Sequence, residues 1–242
     1  MNVAAGLLLA LATSSIAVPS LDGASLAHRV AENYTAQVRG AATFVVQTRT
    51  TVRSGPFTHT EFSETAYVEV DGLVAGKVVL RSLVNGSSAN AGQLAKLSAE
   101  PDGPLSRFGL RLPVFEAAAG DYQYGDPLEP GERTSVAFGT TVKDEAHGDG
   151  TLNVDINQKR VVQVVIRPAV LPAHATRMNI TIDFGRVYEG RWDIVKITRT
   201  FAGRQGLMSG TGTSASVYER YQSYASSAEA FKALAAIAPA AS

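Results

Sequence analysis

The chain has 242 residues, 22 Lys+Arg against 22 Asp+Glu, no Cys, and hydrophobic side chains at 45% of positions. The balanced charge supplies no basic excess to drive binding along phosphate backbones. The absence of Cys excludes disulfide scaffolds, Cys-ligated zinc, thiol catalysis and a lipid anchor through Cys, while the hydrophobic share is that of a chain that packs a core.

No Lys, Arg, Asp or Glu precedes Asp22. The run VAAGLLLALA, from Val3 to Ala12, is too short at about 1.5 Å per helical residue to cross a bilayer core of about 30 Å. It reads as the apolar region of a secretory signal peptide over 1–17, with Ser15 and Ala17 as the small residues before cleavage at Val18. The expected location is therefore periplasmic or secreted, and no later run is long enough for stable membrane insertion.

Ser25–Val38 reads as a helix, because Leu26, Val30, Tyr34 and Val38 form one stripe. Ser25 is the expected N-cap and Gly40 the stop. A period-two pattern follows. Phe44, Val46, Thr48, Thr50 and Val52 share one face of a strand. Phe62 to Val70 and Val74 to Val84 continue the pattern, punctuated by Ser54-Gly55-Pro56, Asp71-Gly72 and Asn85-Gly86. Short Gly turns imply an antiparallel meander, since parallel pairing needs a long crossover.

Ser87–Glu100 reads as a short helix with Leu94 and Leu97 inward. Pro101–Gly120 is apolar but irregular. Strand patterns then return at Val136–Val142, Leu152–Ile156, Val161–Ile166, Met178–Phe184, Trp192–Phe201 and Leu207–Tyr221. VVQVVI at 161–166 is nearly continuous and reads as a central strand. Ala228–Ala236 is a weak helix with Phe231 and Leu234 as its apolar side chains. No βαβ alternation, repeat or linker appears, so residues 18–224 read as one domain, followed by a weak helix and frayed tail over 225–242. The strands are apolar on one face, and such a sheet must curl over itself, a helix or a ligand.

Chemistry-bearing patterns are weak. His28, His59, His147 and His174 show no metal-ligand spacing, so neither a metal nor a cofactor is expected. Lys143–Gly150 gathers Asp144, Glu145, Asp149 and His147 without calcium-loop spacing, and reads as a solvated β-turn in which Gly148 and Gly150 take positive φ. Gly210-Thr211-Gly212-Thr213-Ser214-Ala215 matches a dinucleotide fingerprint in letters. Its flanks are strands, which makes it a glycine-rich strand or bulge. No nucleophile elbow is present, and no catalytic residue is assigned.

The order of elements resembles the outer-membrane lipoprotein-sorting family (LolA/LolB-like, a fold shared by the RseB-type sensor domain). LAHRVAENYTAQVRGAATFVVQTRT is similar to the family's opening, where a helix runs directly into the first strand. HGDGTLNVDINQKRVVQVVIRP and ATRMNITIDFGRVYEGRWDIVKITRT resemble its later strands. The resemblance implies an α+β, β-rich fold: an open antiparallel half-barrel of about nine to eleven strands with helices packed in the concave face. Without Cys, the chain is more similar to the soluble carrier than to its lipidated receptor.

Phe44, Val46, Leu152, Val154, Ile180, Ile182 and Phe184 are expected to point into one hydrophobic concavity. Either the Leu26–Val38 helix and the Leu105–Phe115 segment plug it, or it stays partly open to an acyl chain under Leu105–Phe115 as a lid. The leading expectation is a non-enzymatic exported protein that binds a hydrophobic small molecule or an acylated protein. The alternatives are a sensor or interaction domain with an envelope protein partner, and a secreted hydrolase with an unrecognised triad. No nucleic-acid partner is expected.

Overall fold

The structure, a computed structural model, describes residues 22–99, 110–128, 131–205 and 208–237. The signal-peptide reading of 1–17 and the lid residues 105–109 lie outside them. Helix α1 (Gly23–Gln37) begins three residues earlier than its apolar stripe suggests. Its cap is Asp22 rather than Ser25: the Asp22 carboxylate accepts the Ser25 N–H at 2.8 Å and the Ser25 hydroxyl at 2.9 Å. These bonds hold the Asp22 carboxyl below its ordinary value. A carboxylate takes precedence because it caps the helix and also favours the positive end of the helix dipole.

Three antiparallel strands follow as β1 (Ala41–Ser54), β2 (Phe57–Val70) and β3 (Leu73–Val84). Asp71-Gly72 and Asn85-Gly86 have positive φ at both positions. That geometry matches the right-handed twist of the flanking strands and fixes tight hairpins. The two-residue β4 (Ser87–Ser88) pairs with the end of β3. Helix α2 (Ala91–Ala99) contributes no fully buried residue, so Leu94 and Leu97 are only half-buried. Ser98 accepts the Val79 N–H at 2.9 Å, satisfying a β3 donor that β4 is too short to reach.

After the one-turn helix α3 (Glu116–Ala119), the chain adds β5 (Gln123–Pro127), β6 (Arg133–Gly139), β7 (Gly148–Asp155) and β8 (Arg160–Pro168). The long β9 (Ala175–Tyr188), β10 (Arg191–Gln205) and β11 (Met208–Tyr224) complete one sheet, and α4 (Ser227–Ile237) follows. The order is β4-β3-β2-β1-β11-β10-β9-β8-β7-β6-β5, antiparallel throughout. The sheet does not close, because its edges β4 and β5 do not pair. In β8 only Val161, Val164 and Ile166 are buried, so VVQVVI is one-sided rather than covered on both faces.

Helix α1 lies in the concave face, where Leu26, Val30, Tyr34 and Val38 join one core cluster. Helix α4, outside the 18–224 unit, packs on the opposite face. Its Ala230 and Leu234 cover Ala41, Val45, Ala66 and Val68. This is why both faces of β1 are buried from Ala41 to Val46. Phe231 stays 42% exposed, with its ring against Gly76, where a Cβ would meet it at 2.8 Å.

A buried ionic network ties these parts together. Tyr34 of α1 donates its hydroxyl to Asp193 at 2.7 Å, and the Arg191 Nε donates to the same carboxylate at 2.8 Å. Arg191 also donates to Glu69 of β2. Asp193 accepts the Ile194 N–H at 2.7 Å, and the guanidinium lies 5.9 Å from the Tyr221 ring centre. Glu69 and Asp193 are fully buried, and Arg191 nearly so.

Removing one partner from such a network strands a charge. Arg191→Met is expected to cost about 3–5 kcal/mol in urea unfolding. Replacing Glu69, Arg191 and Asp193 together with Gln, Met and Asn is expected to cost less than the single change.

Candidate functional site

All seven residues expected in the concavity converge. Phe44, Val46, Leu152, Val154, Ile180, Ile182 and Phe184 belong to one cluster, none more than 6% exposed. They are covered by α1 and by Leu110, Leu112 and Val114, which are buried in the same cluster. The described part of the apolar segment before α3 therefore fills this part of the concavity. Tyr34 meets Phe115 and Phe184 edge-on, each at 5.5 Å, closing the seam between α1, that segment and β9.

Among the described residues, α1 packs across β5, β8 and β10 and contributes nothing to the far ends of β1 and β9. At the strand ends beyond the core, the concave face carries a cavity of about 460 Å³. Its floor is formed by Val52, Phe201 and Met178, on β1, β10 and β9, in one cross-strand row with Gly212 of β11 beneath the Phe201 ring. Met178 also packs against the core cluster, so cavity and core are contiguous.

Glycine shapes this floor. A Cβ on Gly212 would lie 2.3 Å from the Phe201 ring, so the glycine lets that ring lie flat across β11. Gly210–Ala215 is strand, as its flanks suggested. The far wall is the turn Pro172–His174. The His174 backbone has a φ of 68°, in the left-handed region, and its carbonyl accepts the Arg204 N–H at 2.8 Å. Gly203 allows this approach, because a Cβ there would meet the same carbonyl oxygen at 2.8 Å.

A second cluster surrounds His147, which is buried. Its Nδ1 lies 2.7 Å from Asp144 and its Nε2 lies 3.3 Å from Asp121. Arg111 Nε is 3.1 Å from Asp121, and the Tyr122 hydroxyl donates to the Arg111 carbonyl. The hydrogen bond from His147 holds the Asp144 carboxyl below its ordinary value. Burial pushes the Tyr122 hydroxyl far up and the Tyr124 hydroxyl to about 12. The expected solvated turn holds for Lys143–Glu145, which are exposed, but not for His147 or the two glycines. Gly148 and Gly150 lie in β7 without positive φ, and a Cβ on either would collide with the Arg167 or Val165 carbonyl oxygen. Spacing along the chain could not show this, because the constraint comes from β8.

Among the described residues no His ring nitrogen bonds to a Ser, and no group of three His, Asp or Glu side chains is placed to hold a metal ion together. Both His147 nitrogens are engaged by carboxylates, which leaves neither free to take a hydroxyl proton. The arrangement is a structural clasp between β7 and the segments around Arg111 and Asp121.

No family model and no curated protein matches the chain. Solved structures similar to it include a LolA superfamily protein of Nitrosomonas europaea, at 11% identity and a TM-score of 0.39, covering 84% of this chain and 94% of that one. A putative outer membrane lipoprotein-sorting protein domain from Vibrio parahaemolyticus is similar at 10% identity and a TM-score of 0.43, with the same coverage. The Pseudomonas aeruginosa MucA/MucB complex is similar at 11% identity and a TM-score of 0.22, covering 84% of this chain and 99% of that one.

A depressed carboxylate stabilises the fold above its unfolded value, and that contribution is lost as pH falls through the lower folded value. Asp144→Asn keeps an acceptor but removes the charge. Urea melts are expected to show a deficit at pH 7 that closes as the pH drops below the ordinary carboxylate value of 3.8.

Proposed function

We propose that this protein binds a hydrophobic ligand, an acyl chain in kind, in the open end of its half-barrel, and performs no chemistry on it. The observation that carries this reading is the cavity of about 460 Å³ floored by Val52, Phe201 and Met178, lying where the concave face outruns its helix. Cavities of about 300–1,000 Å³ with mostly apolar walls are the usual form of small-ligand sites. Each methylene taken from water contributes about 0.8 kcal/mol, so a short stretch of acyl chain suffices for capture. Phe44, Val46, Leu152, Val154, Ile180, Ile182 and Phe184 form the closed inner end of this site, against which a ligand abuts through Met178. An exported, periplasmic or secreted, location fits such a role, and the charge-free stretch before Asp22 supports it.

A second reading, an interaction domain for an envelope protein partner, is favoured by the packing of those seven residues under α1. The two are separated by native mass spectrometry of protein purified from its own host, joined to uptake of a fluorescent fatty acid. Bound lipid and saturable uptake are expected. An empty protein that takes up no fatty acid but holds a stoichiometric protein partner favours the second reading. Ala173→Trp, which places an indole at the cavity wall, is expected to weaken uptake by about tenfold, the equivalent of losing roughly two methylenes of contact. Lys232→Gln, exposed on α4 on the opposite face of the sheet, is expected to leave uptake unchanged.

A further inference from the structure

The concave face changes character just inside the cavity. One row inward from Val52, Gly212, Phe201 and Met178, the register aligns Thr50 on β1, Ser214 on β11, Arg199 on β10 and Ile180 on β9. Arg199 is two residues from both Ile197, which is fully buried in the core, and Phe201, which floors the cavity. Alternation along the strand therefore puts all three on the concave side. Arg199 is half-buried, and among the described residues it makes no ion pair. A cation withdrawn from water without a counter-charge is costly, and guanidinium groups in such positions are commonly matched by an anion.

The neighbours add donors rather than acceptors. Thr50 donates its hydroxyl to Ser214 at 2.9 Å, which leaves the Ser214 proton to be given elsewhere. Ser214 is itself buried. Among the described residues lining the adjacent cavity there is no Asp or Glu. A spare hydroxyl proton and the planar guanidinium fork thus stand about 7 Å along the strands from an apolar floor, a distance within an arginine's reach.

Resting on the acyl-chain reading above, we infer that the ligand is a monoanionic amphiphile of the fatty-acid class. Its carboxylate is held by Arg199 with Ser214, and its chain runs outward over Phe201 and Met178. One guanidinium balances one negative charge, and its parallel N–H pair fits a carboxylate bidentately.

The test is displacement of a neutral probe, N-phenyl-1-naphthylamine, from the full chain by palmitate, hexadecanol and hexadecyl phosphate. Palmitate is expected to bind about tenfold or more tighter than hexadecanol, the usual size of a charge-assisted hydrogen bond. Arg199→Met is expected to erase that ratio while leaving hexadecanol unchanged. Equal affinity for palmitate and hexadecanol in the unmodified protein overturns the inference and leaves acyl binding intact. So does a ratio that survives in Arg199→Met. A stronger, Arg199-dependent preference for hexadecyl phosphate overturns the assignment of a carboxylate. Failure of all three to displace the probe overturns the acyl-chain reading itself. Should Arg199→Met fail to fold, Arg199→Lys replaces it. Loss of the planar fork is then expected to reduce the ratio severalfold, and an unchanged ratio overturns the inference.

Discussion

The contact between Glu69 and Arg191 measures how far the sheet is curled. Glu69 stands on β2 and Arg191 on β10, with β1 and β11 between them. In a flat sheet three strand spacings would put them about 14 Å apart. They meet directly, and the same guanidinium holds Asp193, which holds Tyr34 of α1. Curvature of the sheet and placement of the helix are therefore one constraint. A buried ionic network is not by itself a source of large net stability, since desolvation offsets much of its attraction. What it contributes here is geometry: the concave face can adopt one depth, with one face of α1 against it.

Much of this was legible in the residues. The Leu26–Val38 stripe, the Asp71-Gly72 and Asn85-Gly86 hairpins and the apolar alternation of Met178–Phe184 follow local rules, and the structure keeps them. The convergence of seven distant apolar residues followed from alternation alone, because one-sided strands in a single sheet must share a core. What escaped has a common cause. Strand β5, with the polar sequence QYGDP, forms because β6 offers it an edge. Helix α4 lies on the outer face because Ala41, Val45, Ala66 and Val68 make a second, smaller apolar patch there. Glu69, Arg191 and Asp193 carried no motif, since their pairing depends on curvature. Arg199 sits in a strand of mixed polarity, and only the register places it on the inner face.

The two ends of the concave face differ in how they are covered. Near α1 the apolar side chains are buried in one cluster with the helix and with Leu110, Leu112 and Val114. Towards the far ends of β1 and β9 no helix among the described residues lies above the strands, and Gly203 and Gly210 line the floor. A binding site placed there disturbs the core little.

The pairing of β1 with β11 has a consequence for how the molecule is made. These strands form the middle of the sheet, with Ala41 opposite Tyr224, yet they are its first and last strands in chain order. While the intervening strands are being translated, β1 presents an unpaired, apolar edge of the kind that templates aggregation. Assembly of the whole sheet waits for its last strand, a topology of high contact order and slow closure. The nascent chain is at its most vulnerable before β11 arrives, and a holdase acting on it in that interval has β1 as its natural target.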